Sequence, residues 1–164
     1  MDEIHTLVVD NSPVIRKILS YILEAEGCSV ETAENGLEAL DCIGRQRPDI
    51  IFIDLIMPKI DGEKLGYIIR NTPELQDIFL VVLSGVALED YEITLRIGAD
   101  VCIAKGPMAS MKQHVVAALV FSTIFCISAA FPWVSKYGID TGEGLTIFSF
   151  SCLGSLVVAG HLYF

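Results

Sequence analysis

Five residues carry the chemistry of this sequence: Asp10, Asn11, Asp54, Ser84 and Lys105. Each stands where a short apolar run gives out. LVV runs into Asp10-Asn11, IIFI into Asp54, FLVVL into Ser84 and VCIA into Lys105. Two carboxylates, an amide, a hydroxyl and an ammonium form a specific set if the fold brings them together. Neighbouring carboxylates raise one another's pKa unless a cation neutralises them. A few oxygen ligands with room for water suit Mg²⁺. A carboxylate beside that metal can act as a nucleophile toward phosphorus, while the metal and an ammonium spread the charge of the transferring group. The set therefore reads as a site for an aspartyl phosphate.

The elements that must position these residues follow from hydrophobic pattern and turn chemistry. Apolar runs of four to six residues closed by turn residues read as buried strands of a parallel sheet. Strands are expected over Ile4–Val9, Cys28–Ala33, residues 49–54, Ile78–Leu83 and Val101–Ala104. Ser12 is a suitable N-cap with Pro13 at the first helical position, and Gly27 suits the residue just past the helix end. Further helices are expected over Leu37–Ile43, about 63–70, about 88–97 and from near Ala109. The alternation of strand and helix implies a doubly wound α/β fold, a five-stranded parallel sheet with helices on both faces. Ligands in such sheets bind at the carboxyl ends of the strands, where the five residues fall.

Composition bounds the partners. The net charge of -10 argues against nucleic acid, because binding phosphate backbones needs Lys and Arg. Cys28, Cys42, Cys102, Cys126 and Cys152 are odd in number and lack a C-x-x-C pair, so they suggest neither a disulfide framework nor a zinc site. The acidic start, MDEIHTLVVD, has no apolar signal-peptide core. His5, His114 and His161 lie away from the strand ends, which leaves a hydrolase without a positioned base.

Five stretches in order carry a family resemblance: LVVDNSPVIRKIL at 7–19, AENGLEAL at 33–40, PDIIFIDLIMPKIDG at 48–62, VVLSG at 81–85 and GADVCIAKG at 98–106. Over about residues 4–120 the chain resembles the receiver domains of two-component response regulators. The resemblance implies the flavodoxin-like strand order 2-1-3-4-5 and phosphoryl transfer from a histidine kinase or phosphotransfer protein to Asp54. It implies Mg²⁺ held by Asp10, Asn11, Asp54 and the backbone carbonyl of Ile56, with no further cofactor. Ser84 would follow the phosphoryl group and Lys105 would pair with it. The output would pass through a changed protein-binding face, formed by the fourth helix, fifth strand and fifth helix, to a downstream protein. Three departures stand out. Asn11 occupies an acidic position, Cys102 stands where an aromatic residue is usual, and Gly106 separates Lys105 from Pro107. Ile56 and Val86 offer no group to orient an attacking water, so slow self-dephosphorylation is expected.

The charge pattern breaks near residue 115. Residues 1–114 hold 19 acids and 10 bases, whereas 115–164 hold only Lys136, Asp140 and Glu143. This suggests a receiver over 1–120 and a hydrophobic tail over 121–164. Residues 115–134 and 145–164, each 20 long and uncharged, flank the polar link SKYGIDTGEG. Their length suits a transmembrane helical hairpin, which would anchor a cytoplasmic receiver to a membrane, with Trp133 and Tyr163 at interfaces. Against it, Val115, Val116, Leu119 and Val120 have the spacing to pack on the sheet, and Pro132 would shorten the first helix. The alternative function is an unphosphorylated, membrane-tethered interaction module that keeps the fold for docking.

Overall fold

The computed structural model describes residues 3–85, 89–128, 145–149 and 156–160. Alternation of strand and helix proceeds as β1 (His5–Val9), α1 (Pro13–Ala25), β2 (Ser29–Ala33), α2 (Gly36–Arg45), β3 (Ile50–Asp54), α3 (Gly62–Asn71), β4 (Phe79–Ser84), α4 (Glu89–Arg96), β5 (Val101–Ala104) and α5 (Met108–Ser128). Two more strands, β6 (Leu145–Ser149) and β7 (Leu156–Gly160), follow. Strands β1 to β5 are parallel and lie in the order 2-1-3-4-5, as expected.

Strand residues alternate between the two faces of the sheet, so each run serves two cores. Leu7, Val9, Ile51, Ile53, Leu80 and Val82 pack with residues of α2 and α3, including Ala39, Cys42, Leu65 and Ile69. Val8, Ile50, Phe52, Val81 and Leu83 pack on the opposite side with Leu19, Ile22 and Leu23 of α1 and Met111, Val115, Ala118 and Leu119 of α5. Continuous apolar runs such as Ile50–Ile53 arise because both faces are covered. The helix ends are made by local chemistry. Ser12 accepts from the Ile15 amide, Asn35 from those of Leu37 and Glu38, and Asp61 from that of Lys64.

The C-terminal expectation is corrected. Among the described residues the sheet has seven strands, not five, in the order β2-β1-β3-β4-β5-β7-β6. Residues 145–164 were expected as one helix, yet Leu145–Ser149 and Leu156–Gly160 are strands. They pair antiparallel with each other, and β7 pairs parallel with β5. The sequence of both segments, LTIFS and LVVAG, is rich in β-branched and aromatic residues, and β5 offers an edge whose free amides and carbonyls accept a strand.

The span expected over residues 115–134 is described only as far as Ser128. Val115, Ala118 and Leu119 are buried against the sheet, within an α5 that continues unbroken past residue 120 to Ser128. Among the described residues no helix is long and apolar enough to cross a membrane. The link at 135–144, with Val86, Pro132, Trp133, Cys152, His161 and Tyr163, lies outside the described residues.

Candidate functional site

The switch in strand order between β1 and β3 opens a crevice at the carboxyl edge of the sheet. Asp10 enters it one residue past β1, and Asp54 enters it as the last residue of β3. Ser84 closes β4, and Lys105 follows β5 directly. The pairing of Ser84 with Ala104 and the 2.6 Å bond from the Lys105 amide to the Ser84 carbonyl place these last two side by side.

Lys105 ties the site together. Its Nζ lies 2.7 Å from Asp10 Oδ2 and 2.8 Å from Asp54 Oδ1. Asp10 is fully buried and the Asp54 side chain is only 8% exposed, so both carboxylates face the ammonium with little water between. Burial pushes the Asp54 carboxyl above its ordinary value and the Asp10 charge adds to this, while the Lys105 ammonium and the Ile56 amide pull it down. Asp10 Oδ1 accepts from the Ser12 amide at 2.8 Å. Asp10 Oδ2 is buried and accepts no well-directed hydrogen bond, although the ammonium touches it. Asp10 Oδ2 thus keeps unused lone-pair capacity, as an oxygen donor to a small cation needs.

The loop after Asp54 is held at both ends. The Gly62 amide donates to the Leu55 carbonyl and the Gly36 amide to the Ile60 carbonyl, each at 3.1 Å. A Cβ on Gly62 would lie 2.1 Å from the Asp54 carbonyl oxygen, and one on Gly36 would lie 2.7 Å from that of Ile60. Both glycines therefore permit a backbone approach that any side chain would block. Lys59 takes the left-handed conformation at φ 65° within this loop. Ile56 is 78% exposed at the rim.

All five sequence-derived residues lie at this edge, but not on equal terms. Asp10, Asp54 and Lys105 are in direct contact. Ser84 is buried and partnered. Asn11 is exposed and supplies no charge. Among the described residues no three His, Cys, Asp or Glu side chains gather as a metal site. Cys102 packs against the core shared with α2 and α3. Cys28 and Cys42 are buried free thiols. Around Lys105-Gly106-Pro107, as elsewhere among the described residues, no peptide bond is cis.

Sequence reasoning missed Arg16, whose Nη1 donates to the Asp10 backbone carbonyl at 2.5 Å. The available signal was a cation in the first turn of a helix, where the dipole disfavours it. His5 opens β1, at the far end of that strand from Asp10. His114 lies within α5, where burial pushes its pKa down.

The family model for the response regulator receiver domain matches residues 6–116. The chain belongs to the response regulator receiver domain family. This receiver is 54% identical, over 109 residues, to a protein-glutamate methylesterase/protein-glutamine glutaminase of Hahella chejuensis. That match takes in 66% of the receiver chain but only 31% of the methylesterase. The structure is similar to the chemotaxis response regulator CheY4 of Vibrio cholerae, with a TM-score of 0.67 and 25% identity over 74% of this chain and 99% of that one. It is also similar to the receiver domain of a signal transduction histidine kinase from Syntrophus aciditrophicus, with a TM-score of 0.63 and 32% identity over 71% of this chain and 90% of that one. Receiver domains of this family are signalling modules of two-component systems, and the parallel fold and crevice of this chain are of that kind.

Proposed function

We propose that this receiver accepts a phosphoryl group on Asp54 from a histidine kinase or phosphotransfer protein, and passes the signal to a downstream protein through a changed binding face. The observation that carries this reading is the Lys105 ammonium set between the Asp10 and Asp54 carboxylates at 2.7 and 2.8 Å. In transfer, an Asp54 carboxylate oxygen forms a bond to phosphorus as the donor's P–N bond breaks, and the imidazole leaves with that electron pair. The residues fit Mg²⁺. Asp10, Asn11, Asp54 and the Ile56 carbonyl would hold it, and when bound it would offset charge on the transferring oxygens. Lys105 would pair with the phosphoryl group, and the Ser84 hydroxyl would donate to it. Exposed Ile56 presents no group to orient water, so the aspartyl phosphate would be long-lived.

Mass spectrometry after incubation with acetyl phosphate and Mg²⁺ tests the assignment. Wild type is expected to gain roughly 80 Da, one phosphoryl group, and Asp54→Asn to gain nothing. An unmodified wild type, or equal gain in the variant, overturns it. The unphosphorylated membrane-tethered module has less support, since it requires a span and no described helix supplies one.

A further inference from the structure

We propose that Arg16 is a positioning residue for Asp10, the buried acid that would hold Mg²⁺, acting through its backbone carbonyl. This rests on the phosphoryl-acceptor reading of the site. Asp10 stands just past the end of the β1 ladder, at the start of the turn into α1. Its amide donates to the Ala33 carbonyl at 3.1 Å, and its Oδ1 receives the Ser12 amide at 2.8 Å. Its carbonyl receives Arg16 Nη1 at 2.5 Å. Asp10 is fully buried, and a buried carbonyl left without a donor costs free energy comparable to a lost hydrogen bond. Arg16 meets that need with a side chain.

Position and charge strengthen the assignment. Arg16 is the fourth residue of α1, whose first turn holds no acid. A cation there opposes the helix dipole, so a specific contact has to offset it, and the Asp10 carbonyl is that contact. Without that contact, the Asp10 peptide can rotate, and the carboxylate that faces Lys105 at 2.7 Å turns with it. Arg suits the task better than Lys, because a planar fork fixes direction where an ammonium does not.

The test is a double-mutant cycle on the full chain, with Mg²⁺ affinity read by isothermal titration. Arg16→Met is expected to weaken Mg²⁺ about tenfold, the usual cost of losing a group that orients a ligand. In an Asp10→Asn background the same substitution should have almost no further effect. Equal losses in both backgrounds overturn the proposal, as does an unchanged affinity. Arg16→Lys should fall between wild type and Arg16→Met. If Arg16→Met does not fold, Arg16→Leu, which likewise removes the N–H donor, replaces it. A metal-free readout separates this inference from the function it rests on. The Ser12 amide, bound to Asp10 Oδ1, should exchange with solvent faster in the variant, by nuclear magnetic resonance. An unchanged Ser12 rate overturns the role of Arg16. A wild type that binds no Mg²⁺ and gains no phosphoryl group overturns the acceptor reading instead, and Ser12 exchange still decides the role of Arg16.

Discussion

In the proposed metal site Asn11 would set how strongly a cation is held. An amide oxygen can ligate Mg²⁺ but adds no charge, so only Asp10 and Asp54 would draw the metal in, and Lys105 already pairs with both. Restoring an acid should change that balance. Asn11→Asp is expected to tighten Mg²⁺ binding about tenfold, roughly 1.4 kcal/mol, and an unchanged titration would show that position 11 lies outside the metal's shell. At this scale the sequence was informative about residue types and blind to reach. The strand-end residues could be read because each apolar run stops at one. The partner of Arg16 could not, nor could the grip of Arg70 on the Gly98 carbonyl and on Asp100 at 2.7 and 2.6 Å. A long side chain leaves no periodic mark of where its end goes.

Caps and close approaches govern the elements. Asp61 caps α3, and the Lys64 amide holds its carboxyl below the ordinary carboxylate range. A lowered folded-state pKa means the stabilisation is present above the unfolded value of about 3.9 and is lost as pH falls through the folded one. Asp61→Ala should therefore cost about 1 kcal/mol near neutral pH, measured by urea unfolding, and the gap from wild type should narrow on acidification. A constant gap at all pH values would sink this account. Gly62 is a harder constraint. With a Cβ only 2.1 Å from the Asp54 carbonyl oxygen, Gly62→Ala must push α3 off the end of β3. It should cost about 2–3 kcal/mol and impair phosphorylation of Asp54 as well, whereas Gly44→Ala, which meets open space, should cost far less. Strands and helices were legible to within a residue or two because the pattern that marks them is the pattern that buries them. In the tail this logic failed. Short apolar runs look alike as strand or helix, and the free edge of β5 decided the matter through tertiary pairing.

Seen as one molecule, the sheet is unevenly stitched. Strands β3 and β4 share five residue pairs, from Ile50 with Phe79 to Asp54 with Leu83. Between β5 and β7 there are two, Val101 with Leu156 and Cys102 with Val157. Opening free energy follows such differences in local contact. The amides of β6 and β7 are expected to exchange through a low-energy opening while those of β1, β3 and β4 wait for global unfolding. A single common opening energy, by native-state hydrogen exchange in rising denaturant, would contradict this. Such a two-pair seam among the described residues would make β6 and β7 a separate cooperative unit, able to open while the contacts around Asp54 persist. A calorimetric melt of the chain would then contain a shallow early event before the main endotherm, and no single melting temperature would describe both.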